Sequence, residues 1–226
     1  MLENLSIKHP YLYGLQQDHL IDVDGILLES QTATAFVNMA NAASNDGINI
    51  SICSGFRDFN QQLNIWNNKA SGKRPVLDIN SQAIDIAKLS GAQLMRAILQ
   101  WSALPGASRH HWGTDIDVYD VNNVSKANLQ LITDEYSEHG PCSDLYQWLK
   151  QNSAKFGFEH PYQTGKSGVS SEPWHISYRP VSDTYLKAFD INDFNTVISA
   201  ADIHLKNDIL KQLNQLVENY VYRIAF

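Results

Sequence analysis

Hydrophobic residues recur every three to four positions in several stretches of the chain, which is the spacing of an amphipathic helix. This spacing predicts four helices, over residues 32–45, 58–66, 94–101 and 144–156. Gly47 is placed to end the first helix. Asp58 is placed to cap the second, because a short acidic side chain accepts hydrogen bonds from the free N–H groups of a first turn. Residues 70–90, rich in small polar side chains, predict a long loop.

Two stretches instead alternate apolar and polar residues, as half-buried strands do. In the first, Ile48, Ile50 and Ile52 alternate with polar neighbours, and in the second, residues 114–119 place Asp115 and Asp117 on the face opposite Ile116 and Val118. Residues 172–178 are a third, shorter candidate. Because few strands are scattered among helices, the pattern favours an α+β fold with a small, mainly antiparallel sheet surrounded by helices.

The last part of the chain carries a further helical pattern. Between residues 201 and 222, apolar side chains fall on one face of a predicted long helix, which we expect to pack on the body of the protein. A dimer contact is the alternative. We therefore expect one domain over residues 1–226, with a motif-bearing core over 32–178 and a helical C-terminal extension over 182–226.

Composition narrows the possible functions of this 226-residue chain. Hydrophobic residues make up 43% of it and aromatic residues 10%, which is enough for a core and excludes wholesale disorder. The 24 acidic residues outnumber the 17 basic ones, and no cluster of lysine and arginine stands out, so nucleic acid is not an expected partner. No apolar run approaches the roughly 18 residues of a membrane helix, so we expect no membrane insertion. The oligomeric state is not predicted.

The cysteines and the N-terminus give less information about function and location. Cys53 and Cys142 are too few for a disulfide framework, and buried free thiols are the simpler interpretation. The first ten residues lack the basic start and apolar run of a secretory signal. The expectation is therefore a cytoplasmic protein as the chain stands, or a protein of the periplasm or cell envelope if a signal has been removed.

Two segments rich in ligand side chains predict a metal site. A catalytic zinc ion typically takes three ligands from histidine and carboxylate and leaves its fourth position to water. His110 and Asp117 in the first segment, with His175 in the second, supply that set. Because His111 adjoins His110, spacing alone does not decide which of the two histidines binds metal.

Glu172 is a carboxylate beside this set that is not needed as a ligand, so it can take a proton from a zinc-bound water. On a regular strand, however, residues three apart point to opposite faces. Glu172 must therefore precede the strand that carries His175, or a bulge must redirect it. Pro173, between them, is compatible with an irregular strand start.

Structural interpretations compete with these assignments. Asp115 and Asp117 could be turn or capping residues, and a lone histidine is usually a surface or core residue. Spacing alone therefore leaves the zinc site and the structural interpretation both open. We assign the remaining histidines to the structural class; they are His9, His19, His139, His160 and His204.

The motifs together resemble a known family. The pattern SxHxxGxxxD, starting at Ser108, followed by ExxH resembles the zinc D-alanyl-D-alanine carboxypeptidases of the VanY type, which cut peptidoglycan and are related to the D-Ala-D-Ala dipeptidases. Residues 54–57, SGFR, with Gln62 after them, are similar to the family's SG[YF]R…Q segment. Residues 172–178, EPWHISY, are similar to its EPWH-x-x-Y ending. The segments occur in the family's order and, with the helix that precedes them, span residues 32–178, roughly two-thirds of the chain.

The resemblance implies a role for each motif residue. It implies one zinc ion per chain, held by His110, Asp117 and His175, with Glu172 as the catalytic base. It also implies substrate contacts: Arg57 would hold the terminal carboxylate of a peptide, and Gln62 and Ser108 would hydrogen-bond its backbone. Many family members have alanine at the position of Asp115. We group Asp115 with the substrate-binding residues, the alternatives being that it anchors a neighbouring ligand or repels anionic groups.

The activity implied by the resemblance is removal of the C-terminal D-alanine from a peptidoglycan stem peptide or muropeptide by a metal-activated water. An L,D-carboxypeptidase and a peptidoglycan endopeptidase are the alternatives within the enzyme class. Outside it, a cell-wall-binding module without turnover and a storage or regulatory zinc site are possible, although neither would need Glu172. An acyl-enzyme serine is not expected, because neither SxxK nor GxSxG surrounds Ser54 or Ser108.

Overall fold

The computed structural model describes Leu2 and residues 5–226. The N-terminal segment searched above for a secretory signal therefore lies partly outside the described residues. The helices and strands have the following bounds, in chain order: β1 Leu20–Val23, β2 Ile26–Glu29, α1 Ser30–Asn45, β3 Ile50–Ser54, α2 Phe59–Ala70, α3 Gly91–Leu99, β4 Asp115–Asp120, α4 Ser143–Asn152, β5 Phe158–Glu159, β6 His175–Tyr178, α5 Arg179–Ala188, α6 Ile191–Ala200, α7 Lys206–Lys211 and α8 Leu213–Val217.

A four-stranded antiparallel sheet with the order β3-β4-β6-β5 lies at the centre of the fold, and β1 and β2 form a separate hairpin. The register places Asp117 on β4 directly beside His175 on β6, and Asp115 beside Ser177. A register shift between Ile52 and Ser54 marks an irregularity near the end of β3. The predicted α+β class, with its small antiparallel sheet and helices around it, is confirmed.

Local sequence explains where the helices next to the site begin. Asp58 caps α2 as predicted: its carboxylate accepts a hydrogen bond from the Gln61 N–H at 2.7 Å, and the Gln61 side chain accepts one from the Asp58 N–H at 3.0 Å. The side chain of Glu29 caps α1 in the same manner. Gly47 follows α1 in the left-handed conformation, with φ of 86°, which glycine adopts without the strain that a side chain would add.

Two clusters of buried apolar residues stabilise the fold. One lies between the central sheet and helices α1 and α4, and includes Ile116, Ile176 and Leu145. The other lies among α2, α3 and the C-terminal helices, and includes Trp66 and Phe194. Since the C-terminal helices contribute to this second cluster, the predicted packing of the extension on the body of the protein is confirmed. The expectation of a single domain stays a prediction.

The prediction of one long helix over the last part of the chain is wrong. Leu205, at the start of α7, has a left-handed φ of 64°, and Gln212, between α7 and α8, departs from helical geometry with φ of −117°. A π-helical turn, Glu218–Tyr222, follows α8. The chain instead forms short helical segments that change direction. These segments bring the apolar side chains to the core along more than one line, which a single straight helix could not do.

The end of the extension contacts the loop between β5 and β6. The Ala225 N–H donates a hydrogen bond to the carbonyl of Pro161 at 3.0 Å, and Arg223 donates one to the carbonyl of Gly165 at 3.2 Å. A Cβ at Gly168 would clash with the carbonyl oxygen of Asn219, so only glycine fits there. This loop also carries residues of the site described below.

None of the described helices combines the length and the apolar character needed to cross a membrane. Cys53 and Cys142 are both free thiols, as expected.

Candidate active site

A tight turn and two neighbouring strands bring three ligand side chains together. His110 lies on a 3-10 turn, Arg109–Trp112, which ends at Gly113 with φ of 69°. A Cβ at Gly113 would lie 2.8 Å from the backbone nitrogen of Glu29, so the close approach of the hairpin requires glycine. Asp117 extends from β4, and His175 begins β6 beside it. One nitrogen of each histidine and one oxygen of Asp117 lie within 4.8 Å of one another.

A hydrogen bond to its other ring nitrogen leaves each of these histidines one nitrogen free for a ligand. The Nδ1 of His110 lies 2.9 Å from the carbonyl oxygen of Gly55, a partner that can only accept, so Nδ1 carries the proton and Nε2 is free. The Nε2 of His175 lies 3.0 Å from Oδ1 of Asp115, so in neutral His175 the proton lies on Nε2 and Nδ1 is free. Such outer hydrogen bonds are what orient metal-binding histidines.

The unsatisfied atoms of the cluster fit a metal ion. His175 Nδ1 and Asp117 Oδ1 are both buried and, among the described residues, form no hydrogen bond, although they lie 3.1 Å apart. His110 Nε2 lies 3.4 Å from Oδ2 of Asp117. Ligand atoms bound to a tetrahedral zinc at about 2.1 Å lie about 3.4 Å apart, so this spacing suits one shared ion. Two imidazoles and one carboxylate are also a donor set that zinc accepts in catalytic sites.

The charges of the cluster likewise favour a bound cation. Burial by itself would lower the pKa of His175, but the hydrogen bond with Asp115 and the charge of Asp117 outweigh burial and raise the pKa to about 10. Burial would raise the pKa of Asp117, and the adjacent histidines instead hold it well below its usual range. The two carboxylates thus stabilise a positive charge on or beside His175, which is either a proton or a metal ion.

His111 points away from this cluster. Its Nδ1 donates a hydrogen bond to the carbonyl of Arg57 at 2.6 Å, and its Nε2 accepts one from the N–H of Gly106 at 2.9 Å. Burial lowers the pKa of His111 to about 3, so the ring is neutral. Between the two histidines that spacing left open, the geometry favours His110 as the ligand, since His110 joins the cluster and both ring nitrogens of His111 are hydrogen-bonded to backbone.

Asp115 does not lie where we grouped it. It is fully buried behind His175, where its two oxygens accept hydrogen bonds from Arg109, Thr114, Ser177 and His175 at 2.7 to 3.1 Å. A peptide cannot reach it there, so the predicted substrate contact is wrong. The alternative of anchoring a neighbouring ligand agrees with the geometry. Asp115 is buried there because the register of β4 and β6 pairs it with Ser177.

Glu172 lies before β6, as the strand geometry required. The His175 N–H donates a hydrogen bond to the Glu172 carbonyl at 3.1 Å, and this turn brings Oε2 of Glu172 to 3.5 Å from Nδ1 of His175. Burial raises the pKa of Glu172 to about 8, and the charge of Asp117 adds to the effect, while His175 and Arg57 oppose it. The carboxyl group therefore has an unusually high proton affinity at the edge of the ligand cluster.

Gln62 holds Arg57 and does not face the cavity. Its Oε1 accepts a hydrogen bond from Nη1 of Arg57 at 2.7 Å, and its Nε2 donates one to the carbonyl of Ala103 at 2.7 Å. Ser54 accepts a second hydrogen bond from Arg57 at 3.2 Å. Gln62 is 1% exposed, so the direct substrate contact predicted for it is wrong; its two hydrogen bonds orient the guanidinium instead.

A cavity of about 380 Å³ joins these groups. Arg57 and Ser108 line it together with His110, Asp117, Glu172 and His175. The sequence analysis missed other lining residues, namely Lys69, Arg74, Trp101, Tyr162 and Trp174. Trp174 lies within the EPWH motif and could have been inferred from it. The other four come from distant segments that carry no motif.

The aromatic residues form the cavity walls next to the ligands. The ring of Tyr162 lies 4.7 Å from that of His175, and the rings of Trp101 and Trp174 stack at 6.3 Å. Tyr162 is therefore the part of the wall that lies directly against a ligand side chain.

Comparison with known proteins agrees with this geometry. The family model described as VanY, D-alanyl-D-alanine carboxypeptidase, matches residues 25–181. An Enterococcus faecalis protein named D-alanyl-D-alanine carboxypeptidase is 27% identical over 181 residues, which cover 79% of this chain and 57% of that protein. A Haemophilus influenzae protein described only as uncharacterized is 31% identical over 121 residues, 52% of this chain and 92% of that one.

A solved structure shares the fold. The structure of VanYB in complex with D-alanine-D-alanine superposes with a TM-score of 0.54 at 23% identity, covering 77% of this chain and 86% of that one. Because the family model covers more than half of the chain, including every motif residue of the site, the conclusion is direct: this chain belongs to the VanY family of D-alanyl-D-alanine carboxypeptidases.

Proposed function

We propose that this protein is a zinc-dependent D-alanyl-D-alanine carboxypeptidase that removes the C-terminal D-alanine of peptidoglycan stem peptides. The observation that carries the proposal is the ligand cluster: His110, Asp117 and His175 converge in one cavity with unsatisfied ligand atoms. Glu172 and Arg57 line the same cavity. A binding module would not need the base Glu172, and a storage site would need neither residue.

One zinc ion per chain would be held by Nε2 of His110, an oxygen of Asp117 and Nδ1 of His175. Bound there, zinc supplies Lewis-acid chemistry, polarising the scissile carbonyl and lowering the pKa of a water molecule to about 7. Gly55 and Asp115 keep the two histidines in the tautomers that ligation requires.

Glu172 acts as the proton carrier. Its Oε2 lies 3.5 Å from His175 Nδ1, at the edge of the ligand cluster where a metal-bound water would be activated. The carboxylate accepts a proton from that water and then gives it to the nitrogen of the departing D-alanine. The high pKa that burial gives Glu172 supports this role, since a carboxyl group with an affinity for protons near neutral pH can both take up and release one.

Arg57 selects the end of a peptide. Its guanidinium is oriented by Gln62 and Ser54, and a planar guanidinium can bind both oxygens of a terminal carboxylate. Ser108 lines the cavity, and we assign to it a hydrogen bond with the peptide backbone. A terminal-carboxylate site favours removal of the last residue over cleavage inside a stem peptide.

The proposal is tested with zinc-loaded protein and two peptides, a stem pentapeptide ending in D-Ala-D-Ala and a tetrapeptide ending in a single D-Ala. Mass spectrometry should show loss of one alanine from the pentapeptide, and no loss with the Glu172→Gln variant. Loss from the tetrapeptide alone would identify an L,D-carboxypeptidase instead. If both peptides stayed intact while zinc was bound, the carboxypeptidase proposal would fail, and crosslinked muropeptides would be the next substrates to test.

A further inference from the structure

One end of the cavity is more positive than the proposed reaction requires. Arg57, Lys69 and Arg74 all line it, whereas the terminal carboxylate of a peptide needs only Arg57. The chain as a whole carries a formal charge of −7, so this concentration of positive charge is not a general property of its surface.

The side chain of Lys69 lines the same cavity as that of Arg57, and the two are held through the same segment of the chain. Lys69 follows Gln62 by seven residues on α2, which is two helical turns and about 10 Å along the same face. Lys69 Nζ donates a hydrogen bond to the hydroxyl of Ser102 at 2.8 Å, and Gln62, which orients Arg57, donates one to the carbonyl of the next residue, Ala103. Lys69 is therefore anchored at Ser102, and Arg57, through Gln62, at the adjacent residue Ala103.

These cations have no counter-ion in the protein. Within the part of the chain that the structure describes, no carboxylate oxygen lies within 4.0 Å of a side-chain nitrogen of Lys69, Arg57 or Arg74. Burial lowers the pKa of Lys69; the charge of Glu172 opposes this effect, and the charges of Arg74 and Arg57 add to it. A partly buried ammonium beside two other cations is unfavourable unless a ligand brings negative charge.

The cavity contains more positive than negative charge. Three cations face the two carboxylates Asp117 and Glu172, and zinc would add two further positive charges. A terminal carboxylate bound at Arg57 offsets only one of them. The cavity thus has room, electrostatically, for a second anionic group on the same peptide.

We propose that Lys69, with Arg74 beside it in the cavity, binds a second carboxylate of the substrate. The substrate class is then a stem peptide that carries a free acidic group in addition to its C-terminal carboxylate. Two sources share this chemistry: the α-carboxylate of a γ-linked D-glutamate, and the side-chain carboxylate of a diaminopimelate residue. This inference rests on the proposed function and makes Lys69 a specificity-determining residue for it.

The test uses three pentapeptides of the same length, all ending in D-Ala-D-Ala. One carries both free carboxylates, one has the D-glutamate α-carboxylate amidated, and one has the diaminopimelate side-chain carboxylate amidated. For the unmodified protein we expect kcat/KM to fall about 10-fold or more on amidation of one of the two groups, mainly through KM. The peptide that shows the fall identifies the source of the carboxylate.

Lys69→Met keeps the apolar stem of the side chain and removes its charge, so the ratio of kcat/KM between acid and amide peptides should drop to about one. Lys73→Met, a neighbouring exposed lysine that does not line the cavity, is the matched control and should leave the ratio unchanged. A Lys69→Met variant that lost activity equally on all peptides would overturn the proposal, because Lys69 would then share the terminal carboxylate with Arg57 or support the fold.

A binding measurement separates this inference from the proposed function. Calorimetric titration of the zinc-loaded Glu172→Gln protein should give a Kd for the acid peptide about 10-fold below that for the amide. Equal Kd values, with normal release of D-alanine by the unmodified protein, would overturn the role of Lys69 and leave the carboxypeptidase proposal intact. Acid-selective binding without release of D-alanine would support Lys69 and contradict the carboxypeptidase proposal.

Discussion

Two polar regions meet at His175, and they differ in how completely their atoms are hydrogen-bonded. Behind the ring, both oxygens of Asp115 are hydrogen-bonded within a cluster formed with Arg109, Thr114 and Ser177, in which Arg109 Nη1 is the one buried atom without a partner among the described residues. In front of the ring, facing the cavity, the ligand atoms Asp117 Oδ1 and His175 Nδ1 are buried and have no hydrogen-bond partner in the described part of the chain. The two aspartates are two residues apart on one face of β4, so burial and sequence position do not distinguish them.

The difference shows that the reactive side of His175 is marked by ligand atoms without hydrogen-bond partners, more than by burial. Both oxygens of Asp115 have protein partners, which makes this carboxylate a fixed support. Asp117 has an oxygen without a partner in the protein, a costly arrangement unless a ligand is bound. The same strand thus supplies one carboxylate that holds the histidine and one that is free to bind a cation.

The largest effect is expected from replacing His175, the residue that both regions share. His175→Ala should abolish zinc binding and turnover together, because the cluster loses one of its three ligands and Asp115 loses its hydrogen bond with the imidazole ring. Metal content by native mass spectrometry and release of D-alanine are the two readouts. His204→Ala, at an exposed histidine, is the control and should retain one zinc per chain. Full zinc occupancy in His175→Ala would contradict the ligand assignment.

Changing only the proton carrier should separate turnover from metal binding. Glu172→Gln keeps the size of the side chain and removes its ability to take up a proton, so we expect turnover to fall by about 10² to 10⁴-fold. Zinc content should stay as in the unmodified protein. Normal hydrolysis by this variant would show that another group accepts the proton from water.

Weakening the region behind the ring should have a smaller effect. In Asp115→Asn an amide replaces one oxygen, so either Arg109 and His175 or Thr114 and Ser177 lose an acceptor. We expect zinc affinity to fall by about 10 to 100-fold, as it does when outer partners of metal ligands are altered. Competition with a chelator measures the affinity. Asp120→Asn, at the other end of β4, is the matched control, and an equal loss there would assign the effect to general destabilisation.

The smallest expected effect concerns His111, the histidine whose two nitrogens are both satisfied. Its pKa is about 3 in the folded protein against 6.5 for the free side chain, so below pH 6.5 the unfolded chain binds a proton that the folded one does not. This contribution to stability is complete above pH 6.5 and is lost progressively as the pH falls towards 3. Between pH 7 and 5 the loss is about 2 kcal/mol.

Urea denaturation of the metal-free protein at the two pH values measures this loss. In His111→Asn the fall in the free energy of unfolding between pH 7 and 5 should be smaller by that amount, whatever the stability of the variant at pH 7. An unchanged fall would mean that His111 is protonated in the folded protein.

The sequence was most informative where spacing is local. The spacing of His110, Asp117, Glu172 and His175 made a metal cluster one of two open interpretations, and the family resemblance favoured it. The period of two along a strand correctly required Glu172 to precede β6. The role of Asp115 could not be predicted in this manner, because it depends on which residue of β6 lies opposite. Register between strands that are distant in the chain is set by packing and by turns, which the alternation alone does not encode.

Packing also explains what was missed elsewhere. The apolar spacing between residues 201 and 222 suits a straight helix, yet the chain changes direction at Leu205 and Gln212 to follow the core. Lys69 and Tyr162 reach the cavity from a helix end and a loop whose local sequences contain no motif. Their proximity to the ligand cluster exists only once the tertiary structure has formed.

The contacts between the C-terminal residues and the loop after β5 have a consequence for biosynthesis. This loop carries Tyr162 and leads directly to Glu172, and Arg223 and Ala225 hydrogen-bond its backbone. On a chain that is still being translated, the loop lacks these contacts until residues 219–226 have left the ribosome. This wall of the cavity therefore gains its support only after all the metal ligands have been translated, so the ligands can assemble before the peptide site is fully supported.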